Sequence, residues 1–284
     1  PNRLEVLMVS SARDLEIAGQ SLVNMNAYMP FELAVTLVTD EPNLGRAVVE
    51  RVGLDVDVLG DASLLSAHEL RLPGWYRQQV VKLRVGHLVS GERFCVMSGD
   101  ALLARRIRRE ELYSDDGRAI LHVNRYRYPA AHLDYERRRV RAVASLLGVR
   151  PGVSLMLGDF ITDLFCFERP VLEVVEERLR QRHGAHWTKL LDGRSTRPRD
   201  QVMFGEYTLY SVAALEIVAD PPPTRISWES HVLQLHSRRA FDRATFDSAI
   251  VHVVDKGISL TEVIERAATL GRDLRPDLDP RTSS

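Results

Sequence analysis

The chain has 284 residues, of which 45% are hydrophobic and 27% charged, and its formal net charge at pH 7 is −1. These fractions are typical of a soluble globular protein and exclude a disordered chain, a collagen-like chain and a small disulfide scaffold. The near-neutral charge argues against a dedicated nucleic-acid binder, whose surface is usually basic. No apolar run reaches the roughly 18 residues of a membrane-spanning helix, and the opening PNRLEVLMVSS is typical of a strand and not of a signal peptide.

The two cysteines, Cys95 and Cys166, both lie inside apolar runs. This placement predicts two buried free thiols in a reducing, cytoplasmic setting. The chain has no Cys-x-x-Cys pair, which argues against a zinc site built on thiolates.

The first half of the chain alternates strands with helices. Apolar runs predict strands over 4–10, 32–40, 55–60 and 93–100, and helical periodicity predicts helices over 14–28, 44–52 and 75–90. Such alternation indicates an α/β fold with a parallel sheet and right-handed crossovers.

The second half is less regular. Its patterns predict helices over 132–147, 170–182 and 206–219 and one opening at Thr261, strands over 158–167 and 250–257, a loop over 184–204, and a disordered tail from Arg275. No linker divides the chain into two independent domains.

Polar residues follow several predicted strands. Ser10, Ser11, Asp40, Ser98 and Asp100 all lie at predicted carboxyl ends, where ligands bind in parallel sheets. Asp100 lies next to Gly99 and fits two interpretations. Its carboxylate binds a divalent cation that bridges phosphates, or it caps a simple turn.

A basic helix face follows the Pro73-Gly74 turn. Gln78 and Lys82 lie four residues apart on one face, with Arg77 close by. This pattern fits either a cation pair that holds a diphosphate or a solvated helix face.

Two further regions of the sequence carry side chains suited to catalysis or ligand binding. Glu206 stands in the first turn of a predicted helix, where a carboxylate is either stabilised by the helix dipole or serves as a base beside a pocket. His252 and Lys256 close a late strand, where His252 suits a metal ligand and Lys256 a phosphate binder. The alternative is that His252 is a core histidine.

Residues 125–141 interleave arginine with Tyr126, Tyr128 and Tyr135. Such a stretch can stack on bases or bind anionic small molecules, or it can form a solvated helix.

Three motifs in this order resemble those of GT-A fold glycosyltransferases, and most of all a bacterial, often actinobacterial, group of uncharacterised glycosyltransferase-like proteins. The motifs are G-W-x-x-Q-Q-x-x-K-L over 74–83, Ser98-Gly99-Asp100 in place of D-S-D, and E-Y-x-L-Y over 206–210. The resemblance spans residues 4–270.

The resemblance implies a GT-A-like single domain with a Rossmann-like, mainly parallel central sheet flanked by helices. Residues 1–100 would form its nucleotide-binding α/β half, residues 101–274 its acceptor-side half, and residues 275–284 the tail. It implies a nucleotide-sugar donor, which would contact the residues Ser10, Ser11, Asp40, Arg77, Gln78, Lys82 and Lys256.

The resemblance also implies a divalent metal, Mn²⁺ or Mg²⁺, on the donor diphosphate. Asp100 matches the last acid of the D-x-D motif, and His252 fits the late histidine that completes the metal shell. Ser98 replaces the first acid, which weakens a site that depends on charged oxygen ligands. Cationic side chains are the alternative means of neutralising the diphosphate.

The predicted function is sugar transfer from a nucleotide-sugar donor to an unidentified acceptor, a specialised metabolite or an envelope glycan. Glu206 is the first candidate for the base and Asp163, which interrupts an apolar run, the second. The alternative is a non-catalytic nucleotide-sugar or partner-binding module that kept the fold. An oxidoreductase is disfavoured because SSARDLE stands where G-x-G-x-x-G is expected. We expect neither nucleic acid nor a membrane span, and leave a homodimer open.

Overall fold

A computed structural model describes residues 3–124, 130–157, 159–192, 203–218, 225–228, 232–234, 238, 242, 244, 250–252 and 258–270. Within these residues a five-stranded sheet carries helices on both faces, and two smaller sheets of three and two strands adjoin it. This confirms the predicted α/β class with a mainly parallel central sheet.

The elements follow one another in chain order. The strands are β1 (Leu4–Ser10), β2 (Leu33–Thr39), β3 (Val56–Gly60), β4 (Arg93–Ser98), β5 (Ala101–Leu103), β6 (Leu121–Asn124), β7 (Leu164–Glu168), β8 (Arg225–Trp228), β9 (Val232–Gln234) and β10 (Ile250–His252). The α-helices are α1 (Leu15–Tyr28), α2 (Pro42–Val52), α3 (Gly74–Arg84), α4 (Ala130–Leu147), α5 (Val153–Leu157), α6 (Arg169–His183), α7 (Glu206–Glu216) and α8 (Leu260–Thr269).

The central sheet has the strand order β3-β2-β1-β4-β7. The first four strands are parallel, and β7 pairs antiparallel with β4. Strands covered on both faces must be apolar throughout, which is why β1 reads as the continuous run LEVLMVS. The four parallel strands therefore end at one edge of the sheet.

Each face of the sheet has its own core. Leu22 and Met25 of α1 pack on one face together with residues of α2. Val80 of α3, Val140 of α4 and Leu209 of α7 pack on the other. The parallel strands therefore run between two packed hydrophobic cores.

Some element boundaries differ from the prediction. The strand predicted over 158–167 begins only at Leu164, so Asp163 precedes the strand and does not interrupt it. The helix predicted over 75–90 ends at Arg84 and continues as a short 3₁₀ turn. Asp14 precedes α1 but makes no capping hydrogen bond, because its carboxylate accepts one from the Ser11 hydroxyl at 2.9 Å.

The strand β10 pairs antiparallel with β5, which places His252 opposite Ala101. The predicted strand over 250–257 is described only to His252, so Lys256 lies outside the described residues. The tail predicted from Arg275 lies outside them as well.

Cys95 and Cys166 face each other across β4 and β7 and form a disulfide. Their predicted burial is confirmed, whereas the prediction of two free thiols is wrong, because the strand pairing brings together two residues 71 positions apart. Among the helices that the structure describes, none is long and apolar enough to cross a membrane.

Candidate functional site

Two small cavities open side by side at the carboxyl ends of the parallel strands, and both are lined by Val9, Ser10 and Gln78. The first, which we call the β2 cavity, is also lined by Ser11, Val38, Thr39, Asp40, Asp61, Gly74, Arg77 and Val81. The second, the β4 cavity, is also lined by Asp14, Lys82, Ser98, Gly99 and Asp100. Ligands of open α/β sheets bind at this edge.

Gly99 allows the ends of β1 and β4 to approach closely. A Cβ placed on Gly99 would lie 2.9 Å from Cβ and 3.1 Å from Oγ of Ser10. The buried Ser21 hydroxyl donates to the Gly99 carbonyl at 3.0 Å and fixes this turn. Any larger residue would push Ser10 and Asp100 apart.

Arg77 is held between two carboxylates in the β2 cavity. Its guanidinium lies 2.9 Å from Asp40 and 3.3 Å from Asp61, and Asp40 also accepts the Ala12 backbone N–H at 2.7 Å. Burial raises the pKa of Asp61, Arg77 opposes that rise, and the Asp40 carboxylate adds to it. The sequence predicts Arg77 as a diphosphate ligand, but its charge is already compensated on the protein.

Lys82 and Glu206 form a buried ion pair beside the β4 cavity. The Lys82 Nζ lies 2.9 Å from the Glu206 carboxylate and 4.8 Å from the centroid of the Tyr207 ring. Burial alone would lower the pKa of Lys82, but Glu206 and Tyr207 together outweigh burial and raise that pKa well above its usual range. Lys82 lines the cavity, whereas Glu206 is among neither cavity's lining residues.

A second group of buried charges lies near Glu206. Arg139 pairs with Glu136 at 2.8 Å, and its Cδ lies 3.2 Å from the position a Cβ would take on Gly205. Burial raises the pKa of Glu136 to about 7, while Arg139 opposes the rise and Asp159 adds to it. Sequence reasoning missed this group, because only the tertiary fold brings α4 beside the start of α7.

Asp163, the second predicted base, is buried next to the end of β4. Its backbone carbonyl accepts the Ser98 N–H at 2.8 Å. It therefore lies at the same edge of the sheet as Ser98, one position before β7.

Strand pairing brings the positions of the two candidate metal ligands, Asp100 and His252, close together. Antiparallel register sets His252 opposite Ala101, the neighbour of Asp100. Within the described part of the chain, no group of three or more histidine, cysteine, aspartate or glutamate side chains is placed to hold a metal. Asp100 and His252 alone would fill only part of the coordination shell of Mg²⁺ or Mn²⁺. They fit such a metal if phosphate oxygens and water complete the shell, as is usual for Mg²⁺.

Most of the predicted donor residues meet at this edge, where the two cavities are lined by Ser10, Ser11, Asp40, Arg77, Gln78 and Lys82. Asp100, a predicted metal ligand, lines the β4 cavity as well. Sequence reasoning missed Asp61, although it follows Gly60 at the end of a strand just as Asp40 follows Thr39.

A larger cavity of about 760 Å³ lies at the opposite, amino-terminal edge of the sheet and is lined by Leu4, Ala34 and Arg93 among others. It is broad and mixes arginines with carboxylates, and no predicted site residue lines it. The strand-end cavities are therefore the stronger candidate.

The overall fold is similar to that of the galactosyltransferase LgtC. The structure of LgtC with donor and acceptor sugar analogues is 10% identical in sequence, with a TM-score of 0.51 over 89% of this chain and 88% of that one. An active-site mutant of LgtC is also 10% identical, with a TM-score of 0.54 over 94% and 95%. The apo form of mouse xyloside xylosyltransferase 1 is 14% identical and covers 91% and 100%, at a TM-score of 0.49.

The two LgtC structures show that this chain has the fold of the GT-A glycosyltransferases. Residues 35–222 match the model of a family of unknown function, DUF6492, and the chain belongs to this family. No curated protein matches the sequence.

Proposed function

We propose that this protein is a glycosyltransferase that moves a sugar from a nucleotide-sugar donor to a hydroxyl group of an acceptor. The observation that carries the proposal is the gathering of Ser10, Asp40, Lys82 and Asp100 at one edge of the sheet. The fold, shared with a galactosyltransferase over nearly the whole chain, supports the same function.

The two cavities suit different parts of the donor. The β2 cavity offers the Asp40 and Asp61 carboxylates, which accept hydrogen bonds from N–H and O–H groups of a base and ribose but repel phosphate. The β4 cavity offers the Lys82 ammonium together with the Asp14 and Asp100 carboxylates, of which Asp100 would reach phosphate oxygens through the proposed divalent cation. We therefore assign the nucleoside to the β2 cavity and the diphosphate to the β4 cavity.

Charge must be compensated where the nucleoside diphosphate leaves. Lys82 supplies a preorganised positive charge there, because Glu206 fixes its position. Asp100 and His252 would hold a divalent cation together with the donor phosphates, and that cation would add to the same compensation. Lys256 is proposed from the sequence to lie near the diphosphate. Arg77 would instead hold Asp40 and Asp61 in place for the nucleoside.

A carboxylate takes the proton of the acceptor hydroxyl if the reaction inverts the sugar's configuration. Glu206 is the first candidate for this role, since it contacts Lys82, which lines the β4 cavity. Asp163 is the second, since it adjoins Ser98. In this assignment residues 1–100 supply most of the nucleotide site and residues 101–274 most of the acceptor side, and the acceptor is a specialised metabolite or an envelope glycan.

Calorimetry with UDP, GDP and dTDP, each with and without Mn²⁺, tests the proposal. We expect one diphosphate to bind, more tightly with Mn²⁺, and the corresponding nucleotide sugar to be slowly hydrolysed. Asp100→Asn should lose the Mn²⁺ effect. The matched control Asp57→Asn, at an exposed position of β3, should keep it. Absence of binding by all three diphosphates would overturn the proposal.

A non-catalytic binding module is the second candidate, and two observations favour it. Ser98 stands where the motif has its first acid, and both cations of the site, Arg77 and Lys82, are already paired with carboxylates. The same experiment separates the two functions, because a module binds a diphosphate but neither hydrolyses nor transfers the sugar.

A further inference from the structure

Two aromatic side chains are exposed beside the candidate site. Trp75 is 53% exposed and Tyr135 is 41% exposed. Trp75 packs edge-on against Tyr76, with 5.0 Å between the ring centroids, and Tyr76 itself is buried. Trp75 is therefore held from one side, and its remaining surface faces solvent.

The two rings border the site from different elements. Trp75 follows Gly74, which lines the β2 cavity. The guanidinium of Arg139 lies 5.0 Å from the Tyr135 ring, and Arg139 also adjoins Gly205, the residue before Glu206. Tyr135 thus lies next to the start of α7.

Tyr76 is close to both exposed rings. Trp75 packs against it. Burial raises the pKa of Tyr76, and the Tyr135 phenol raises it further, so the two phenols lie within electrostatic range of each other. The exposed rings of Trp75 and Tyr135 therefore belong to the same region of the surface.

Arg138 brings a positive charge to the Tyr135 ring. It is exposed, and its guanidinium lies 5.9 Å from the Tyr135 ring. Its neighbour Arg139 is paired with Glu136, whereas Arg138 makes no ion pair with a carboxylate among the described residues. An exposed guanidinium over an aromatic ring binds a carboxylate or phosphate well.

Exposed aromatic rings grouped next to a polar site are typical of a binding surface and not of a core. Flat rings pack against the C–H faces of pyranose sugars, while the sugar hydroxyls stay in water. We propose that Trp75, Tyr135 and Arg138 form the acceptor subsite, and that the acceptor presents a sugar ring carrying an anionic group. This inference rests on the proposed function and names the chemistry of its second substrate.

A glycan array with matched neutral, uronic-acid and phosphorylated oligosaccharides tests the inference on the full chain. We expect binding to acidic glycans, weakened at least tenfold by Trp75→Ala and by Tyr135→Ala. Arg138→Gln should remove the preference for acidic over neutral glycans. The matched control Leu44→Ala changes a side chain of α2 that is 54% exposed and should bind as the wild type does.

Two results would overturn the inference: no glycan binding, or glycan binding that neither aromatic substitution changes. Preferential binding of a single-stranded oligonucleotide added as a competitor would overturn it as well. All three substituted side chains are exposed, and thermal unfolding checks that the variants fold.

Calorimetry with the nucleoside diphosphates separates this inference from the proposed function. If the subsite is assigned correctly, Trp75→Ala and Tyr135→Ala keep wild-type diphosphate affinity while losing glycan binding. If diphosphates do not bind but glycans do, the transferase proposal fails and the glycan surface stands. If sugar transfer occurs and its acceptor KM is unchanged in both variants, the subsite fails and the transferase proposal stands.

Discussion

Lys82 and Glu206 are 124 positions apart in the chain and 2.9 Å apart in the fold. Each belongs to a different sequence motif, the Q-Q-x-x-K-L helix and the E-Y-x-L-Y helix. Their contact explains why both motifs carry a charged residue, because a buried ammonium needs a counter-charge. Neither residue by itself predicts the other.

Removing one partner of this pair should destabilise the protein more than removing both. Lys82→Met or Glu206→Gln leaves one buried charge uncompensated, which costs about 3–5 kcal/mol. The double variant Lys82→Met/Glu206→Gln should lie closer to the wild type. Urea unfolding of the four proteins measures this, and additive losses in the double variant would contradict the buried pair.

Glu206→Gln should also lower sugar transfer at least a hundredfold, since a positioned base contributes about 10²–10⁴ in rate. Nucleoside diphosphates should still bind, because Lys82 keeps its positive charge. The control Glu173→Gln changes an exposed residue of α6 and should transfer at the wild-type rate. Near-normal turnover by folded Glu206→Gln would remove Glu206 from the mechanism.

Glu136 should make stability depend on pH. Its pKa is raised to about 7 in the fold against 4.5 for the free side chain, so the folded state holds a proton that the unfolded state has lost. Stability should therefore fall as the pH rises from 4.5 to 7, by roughly 3 kcal/mol in total.

Urea unfolding at pH 4.5 and pH 8 measures this contribution. Glu136→Gln should remove most of the loss on going to pH 8, whereas Glu173→Gln, at an exposed position, should keep it. Equal pH dependence in the wild type and Glu136→Gln would show that Glu136 ionises normally.

At the scale of elements, the turn after β4 depends on close contact with β1. Gly99→Ala would place a methyl group 2.9 Å from Ser10 Cβ, and relieving that overlap should cost about 1–3 kcal/mol. Gly74→Ala is the matched control, because a Cβ there meets nothing within 4 Å. Similar unfolding midpoints for the two variants would argue against the close approach.

The positions of the elements were largely predictable, and their contacts were not. Apolar runs predict β1 to β4 because parallel strands are buried on both faces, and a polar residue after each strand then predicts the edge where Ser10, Asp40 and Asp100 meet. The start of β7 was not predictable, since Phe160 and Ile161 continue the apolar run without joining the strand. The disulfide depends on antiparallel pairing of β4 with β7, which no local pattern specifies.

The same limit applies to the charges of the site. The sequence identifies Arg77 and Lys82 as cations of one helix, but only the folded chain supplies Asp61 and Glu206 as their partners. Trp75 and Tyr135 also become informative only in the fold, because an aromatic residue in an amphipathic helix is usually part of a core.

At the scale of the whole molecule, described residues line cavities at both edges of the sheet: the strand-end cavities at one edge and the larger cavity at the other. The sheet separates them, so a nucleotide bound at one edge can be told from a nucleotide bound at the other by the region that it protects. The proposed function depends on the strand-end cavities.

Hydrogen–deuterium exchange with and without the nucleoside diphosphate that binds most tightly tests this directly. We predict slower exchange in residues 9–12, 38–41 and 98–101, which end the parallel strands, and no change in residues 109–117 at the opposite edge. Slower exchange in residues 109–117, with none at the strand ends, would contradict the account.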